Sequence, residues 1–184
     1  AAMGRLISYD KRGCGLSDWT VPELSFESWV RDLETVVDTV GAERFAILGI
    51  SQGASIAVAY AVKHPERVTH LVLHGGYARG RLVRSTSPQQ AEEAEMMCRL
   101  AEIGWGKADP SFRQFFTTQF IPGGTPEQHQ WFNEMERLST SPQNAVSMGM
   151  AMSALLLSTA HTTARSIAGS STRKPPARFR NTSF

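Results

Sequence analysis

The strongest chemical signal in the sequence is a serine flanked by glycines in residues 49–53, Gly-Ile-Ser-Gln-Gly. An apolar segment, Phe45–Leu48, precedes it, and a segment of small residues, Ala54–Val62, follows it. A strand, a G-x-S-x-G turn and a helix in this order form a nucleophile elbow, in which glycines permit a sharp turn and the serine hydroxyl projects from the end of the strand. Ser51 is therefore the candidate nucleophile, and the backbone N–H of Gln52 is the candidate donor to an oxyanion.

A serine hydroxyl needs a general base, usually a histidine that a carboxylate orients. The sequence has five histidines. His74 ends a predicted strand at the same rim of the sheet as Ser51 and is the preferred base within the chain, whereas His161 follows the serine in chain order. The other histidines are interpreted as surface, strand and insert residues: His64, His70 and His129. The identity of the general base and that of the acid that orients it therefore stay open.

Composition narrows the class of protein. The 184 residues are 41% hydrophobic, which suits one soluble domain. We expect neither a membrane span nor a signal peptide, because apolar runs approaching roughly 20 residues and a basic-then-apolar start are both missing. Cys14 and Cys98 are interpreted as free thiols, which favours the cytoplasm. Basic residues are scattered without aromatic interleaving, so nucleic-acid binding is not expected, and we expect no metal or cofactor.

Local patterns predict alternating strands and helices. The strands are Leu6–Tyr9, Phe45–Leu48 and Val68–Leu73, and an amphipathic helix runs from Phe26 until Gly41 ends it. This alternation predicts a parallel sheet with right-handed crossovers.

Beyond the third strand, the sequence changes character and predicts three regions. Residues 1–78 form the core, residues 79–152 form a helical cap, and residues 153–184 form a weakly ordered basic tail. In the cap, Asp109 and Thr125 are predicted to begin helices. The Ser, Thr, Arg and Pro bias of the tail is also what an out-of-frame reading would produce.

Several motifs resemble those of the α/β-hydrolase superfamily. The loop Tyr9–Asp18 is similar to the family's D-x-R-G-x-G-x-S-D loop after strand 4, residues 49–53 match its elbow after strand 5, and His64–Val68 resembles the approach to strand 6. Gly75–Gly80 looks like the entry to the cap. The match is closest to bacterial esterase-like hydrolases. It implies a partial α/β-hydrolase fold, in which a small parallel sheet equivalent to strands 4, 5 and 6 carries flanking helices and a helical cap.

The same resemblance implies a serine hydrolase that acts weakly on small-molecule acyl esters through Ser51. The family has three strands and the oxyanion loop before strand 4, whereas the motif similar to the loop after strand 4 begins here at Tyr9. The family also places an acid after strand 7 and a histidine after strand 8, but Glu136 is the last acidic residue here. Against the family, the chain therefore looks truncated at both ends. Two alternatives therefore stay open, a non-catalytic ligand-binding or sensor module and a fragment that needs a partner chain. Because strand 3 of the family separates strands 4 and 5, we expect Leu6–Tyr9 to pair directly with Phe45–Leu48, or a homo-oligomer to complete the sheet.

Overall fold

The structure is a computed structural model that describes residues 4–107 and 109–157. The described residues divide into two compact units. The sheet unit takes its residues from 26–84 and 152–157, and the helical unit takes its residues from 4–25 and 85–151.

The sheet unit alternates helices and strands. Its elements are α1 (Phe26–Thr39), β1 (Phe45–Ile50), α2 (Gln52–Lys63), β2 (Val68–His74) and the short α3 (Arg81–Arg84). β1 and β2 are parallel, with Ile47 opposite Leu71 and an irregularity in the register beside Phe45. The predicted helix from Phe26, the two predicted strands around the elbow and the parallel sheet are confirmed.

The core of the sheet unit lies between one face of the sheet and its two long helices. Buried residues from α1, β1 and α2 form its centre: Val37, Ile47, Ala57 and Tyr60. Leu33, Phe45 and Leu71 pack around them. Because successive strand residues point to opposite faces, Ile47 and Leu71 can enter this core while their neighbours in the strands face away from it.

The opposite face of the sheet is exposed along its whole length. Its residues are Ala46, Leu48, Ile50, His70, Val72 and His74, and every one of them is exposed in this structure. Leu48 is 61% exposed and Val72 is 54% exposed. Parallel sheets are normally covered on both faces, so this surface, which we call the bare face, lacks the cover that such a sheet usually has.

The predicted strand at Leu6–Tyr9 is wrong. These residues have no regular structure, Leu6 is 90% exposed, and the sheet among the described residues has two strands, β1 and β2. The predicted direct pairing with β1 is therefore wrong as well. A strand forms only where another strand accepts its backbone hydrogen bonds, and no strand among the described residues pairs with Leu6–Tyr9.

The helical unit contains α4 (Pro88–Gly104), α5 (Pro110–Phe120), α6 (Pro126–Ser139) and most of α7 (Pro142–Ser153). The predicted caps are confirmed. Asp109 accepts a hydrogen bond from the N–H of Ser111 at 2.9 Å, and Thr125 forms a reciprocal capping box with Gln128. These side chains satisfy N–H groups that a helix start leaves without partners.

The glycine-rich loop near the N-terminus is attached to α6 and α7. The N–H of Gly15 donates to the carbonyl of Ser139 at 2.7 Å. The carbonyl of Gly13 accepts hydrogen bonds from Thr140 and from Asn144. These bonds explain why residues 4–25, which the sequence groups with the core, group with the helices.

The chain returns to the sheet unit after α7. The N–H of Gly80 donates to the carbonyl of Leu155 at 2.7 Å, and the N–H of Leu157 donates to the carbonyl of Ala78 at 2.9 Å. Residues 155–157 therefore run antiparallel to residues 78–80. The rest of the predicted tail, residues 158–184, lies outside the described residues. The out-of-frame hypothesis concerns this segment and stays a hypothesis.

Cys14 and Cys98 are free thiols, as predicted, and burial raises the pKa of Cys14. Among the described residues, the structure contains no helix of the length and apolar character that a membrane span requires.

An ion-pair cluster joins α1 to the end of α2. Glu34 lies 2.8 Å from Lys63 Nζ and 2.8 Å from His64 Nε2. Burial alone would raise the pKa of Glu34, but the hydrogen bonds from Lys63 and His64 outweigh it and lower this pKa. A lowered pKa means that the folded protein favours the ionised carboxylate.

We expect Glu34→Gln to lower the free energy of unfolding by about 0.5 kcal/mol at pH 7, the scale of a partly exposed ion pair. Because the pKa of Glu34 is lowered on folding, its contribution is complete above the unfolded value near 4.3 and is lost as the pH falls through the folded value. Urea unfolding at pH 7 and pH 3 measures this, and the difference between wild type and variant should shrink at pH 3. A difference of equal size at both pH values would contradict this assignment.

Candidate active site

Ser51 lies at the junction of β1 and α2, where the sequence predicts a turn. Its φ is 52° and its ψ is −121°, and among the described residues it is the one non-glycine residue with a positive φ. Residues other than glycine occupy such conformations at a cost of about 1–3 kcal/mol and do so mainly at functional sites. Ser51 is exposed, and the structure gives its hydroxyl no hydrogen-bond partner among the described residues.

Two backbone hydrogen bonds hold this turn. The N–H of Ser51 donates to the carbonyl of His74 at 2.8 Å, and the N–H of Ala54 donates to the carbonyl of Ser51 at 3.0 Å. The first bond joins the turn to the end of the neighbouring strand. The strained conformation is thus fixed by the sheet and by the helix together.

The two glycines of the motif have different roles. A Cβ on Gly49 would lie 2.6 Å from Ala54 Cα and 2.7 Å from the carbonyl oxygen of Gly53, both of them backbone atoms that cannot move aside. A Cβ on Gly53 would meet nothing within 4 Å. The steric explanation for the motif therefore holds at Gly49 and not at Gly53.

Gln52 is the first residue of α2. The N-terminus of a helix carries the positive end of its dipole. The residue after the serine therefore lies at the positive end of α2.

The histidines are distributed over both units. His74 is exposed at the end of β2, and its carbonyl holds the Ser51 turn. His64 is engaged by Glu34, and its ring packs on Tyr60 with the centroids 4.7 Å apart. His70 is exposed on the bare face, whereas its position in a strand predicts a structural side chain.

The remaining two histidines are His129 and His161. His129 belongs to the helical unit, where its Nδ1 lies 2.6 Å from Gln114 Nε2 and its Nε2 lies 2.9 Å from the carbonyl oxygen of Ile121. These contacts give it a structural task between α5 and α6. His161 lies outside the described residues.

The sequence does not predict a pocket of about 690 Å³ in the helical unit. Residues of α5, α6 and the turn between them line it: Gln114, Gly124, Pro126, His129, Gln130, Asn133 and Glu134. Several of its polar groups already have protein partners, including Asn133, which accepts a hydrogen bond from Thr117. The lining residues come from two helices and the turn between them and share no sequence pattern, so no local pattern predicts the pocket.

We expect Ser51→Gly to raise the free energy of unfolding by about 1 kcal/mol, because glycine adopts the positive φ without steric cost. Ser51→Ala also removes the hydroxyl but keeps the Cβ, so it is the matched control and should stay near wild type. Urea unfolding of the three proteins measures the difference. A Ser51→Gly protein less stable than Ser51→Ala would contradict the strain at this turn.

Comparison with known proteins finds relatives in sequence and in fold. Proline iminopeptidase from Neisseria gonorrhoeae is 33% identical over 105 residues, which cover 56% of this chain and 33% of that protein. The esterase EaEST from Exiguobacterium antarcticum shares the fold with a TM-score of 0.65 at 20% identity, and the match covers 80% of this chain and 55% of the esterase chain. A thermophilic esterase from Thermogutta terrifontis has a TM-score of 0.58 at 26% identity, covering 82% and 54%.

This chain therefore spans a third of the iminopeptidase and about half of each solved esterase. The family described as alpha/beta hydrolase fold matches residues 5–159, which include β1, the Ser51 turn, α2 and β2. Since this match extends over most of the chain and contains the elbow, the chain belongs to the α/β-hydrolase family.

Proposed function

We propose that this chain is a serine hydrolase of small carboxylic esters, with Ser51 as the nucleophile and the N–H of Gln52 as an oxyanion donor. The observation that carries the proposal is the strained, exposed serine between β1 and α2. A strained conformation persists only where the surrounding structure enforces it. We interpret the strain at Ser51 as the cost of a turn that exposes the serine hydroxyl to a substrate.

In the proposed reaction, Ser51 Oγ attacks the acyl carbon and its proton passes to a base. The tetrahedral oxyanion accepts a hydrogen bond from Gln52 N–H and then collapses. The ester C–O bond breaks, the base returns the proton to the departing oxygen, and the neutral alcohol leaves. Water then hydrolyses the acyl-serine. We propose His74 as the base within the chain, since it ends β2 next to the turn that its carbonyl holds. The reaction needs no cofactor.

Turnover is expected to be slow. We assign one oxyanion donor, and removal of one donor from a complete site typically costs on the order of 10²–10³ in rate. His74 also has no assigned carboxylate to orient it, which lowers the rate further. The two free thiols support a cytoplasmic location for the protein.

The choice of an ester over a peptide substrate is the finer part of the proposal. The Thermogutta terrifontis protein, at 26% identity, is an esterase, whereas the Neisseria gonorrhoeae relative is named for an iminopeptidase activity. An activated ester has a better leaving group than an amide and makes a smaller demand on an incomplete site. We therefore expect ester cleavage to be the detectable activity.

We expect slow hydrolysis of p-nitrophenyl acetate above the buffer rate, at pH 8, and its loss in Ser51→Ala. Ser147→Ala changes an exposed serine on α7 and is the control that should keep the wild-type rate. The release of p-nitrophenol at 405 nm measures both. Equal rates in wild type and Ser51→Ala would contradict the proposal.

The alternative of a non-catalytic ligand-binding module has a distinct signature. A binding module would show a ligand-dependent rise in melting temperature without turnover, and Ser51→Ala would keep that rise. Scanning calorimetry with small esters and their product acids separates the two functions.

The bare face favours a second candidate, in which a second copy of this chain completes the fold. Leu48, Ile50 and Val72 are apolar and exposed on a parallel sheet, and exposed apolar surfaces of this kind commonly mark protein interfaces. A homo-oligomer that covers this face would remove apolar side chains from water.

We expect the chain to associate at micromolar concentration and Leu48→Gln to weaken that association about tenfold, because it places a polar amide on the covered face. Leu138→Gln is the matched control, since Leu138 is 56% exposed on α6 of the helical unit. Sedimentation equilibrium measures both variants. A wild-type chain that stays monomeric at 100 μM, or equal effects of the two substitutions, would exclude the bare face as the self-association surface.

A further inference from the structure

Ser55 is a buried serine one helical turn after Ser51, and its hydroxyl makes a hydrogen bond outside its own helix. It is 1% exposed, and its Oγ donates to the carbonyl oxygen of Tyr77 at 2.5 Å. Serines inside helices usually turn to solvent or bond a carbonyl four residues earlier in the same helix. Ser55 instead reaches the loop that follows β2, residues 75–77, which we call the rim loop.

A second contact brings the rim loop against the same turn of α2. A Cβ on Gly76 would lie 2.5 Å from the Cβ of Ala54, so any larger residue would push the loop away from the helix. Gly75 has a φ of 60°, which lets the chain turn sharply after β2. The rim loop is thus packed on the helix turn that follows the nucleophile.

A third contact comes from the residue just before the rim loop. The carbonyl of His74 accepts the hydrogen bond from Ser51 N–H. Residues 74–77 therefore support the strained turn at one end and are anchored by Ser55 at the other. Movement of this segment would displace the Ser51 turn and His74 together.

We propose that Ser55 is a positioning residue for Ser51: its buried hydroxyl anchors the rim loop and so fixes the geometry of the elbow. This inference rests on the proposed role of Ser51 in catalysis. Ser55 acts through the loop and takes no part in bond making or breaking. Misplacement of a reacting group by about 1 Å can cost on the order of 10²-fold in rate, so a loosened loop should slow the reaction of Ser51 well before it unfolds the protein.

The test is the second-order rate at which a fluorophosphonate labels Ser51. We expect Ser55→Ala to slow labelling about tenfold and Ser55→Thr, which keeps the hydroxyl, to recover much of the rate. Thr35→Ala is the matched control, because Thr35 donates a hydroxyl hydrogen bond to the carbonyl of Arg31 on the exposed side of α1. It should keep the wild-type rate. A folded Ser55→Ala protein that is labelled at the wild-type rate overturns the proposal.

Gly76 provides a second route that leaves Ser55 intact and decides the matter if Ser55→Ala does not fold. Gly76→Ala should slow labelling because its Cβ displaces the rim loop from Ala54. The double variant Ala54→Gly with Gly76→Ala removes the clash and should recover the rate. Equal labelling of Gly76→Ala and wild type overturns the proposal.

Amide hydrogen exchange separates this inference from the proposed function. If wild type is not labelled at all, the role of Ser51 fails, and exchange in residues 75–79 then tests Ser55 alone. Exchange there about tenfold faster in Ser55→Ala, with α1 unchanged, supports the anchoring role. Unchanged exchange in residues 75–79 overturns it.

Discussion

The site depends on one constraint, the close approach of β1 to the first turn of α2. Gly49 lies where any Cβ would meet the backbone of Ala54, so the strand can pass directly into the helix only without a side chain at that position. The turn then forces Ser51 to a positive φ, and the bond from its N–H to His74 ties it to β2. These backbone constraints fix a turn in which Ser51 is exposed.

The parts that the sequence predicts are those that local chemistry decides. The Gly-Ile-Ser-Gln-Gly motif predicts the elbow because the steric demand lies within five residues. Asp109 and Thr125 are recognisable as caps because a cap satisfies N–H groups two or three residues away. The amphipathic period of α1 predicts its buried face for the same local reason.

The parts that the sequence does not predict depend on distant partners. Leu6–Tyr9 has the composition of a strand, but a strand exists only with a neighbour, and composition does not say whether one is present. Ser55 reads as an ordinary small helical residue, because its bond to Tyr77 crosses 22 positions. The sequence does not predict the bare face either, since a continuous apolar run such as Phe45–Ile50 normally indicates a strand that is buried on both faces.

The central claim is that the confined turn presents a reactive serine. Its most direct test is mass spectrometry of the intact chain and its peptides after exposure to a fluorophosphonate, which reports nucleophile activation without a choice of substrate. The account predicts a single phosphonyl adduct on the peptide that contains Ser51, and none there in Ser51→Ala. An unmodified Ser51 in a folded chain, at reagent concentrations that label known serine hydrolases, would contradict it.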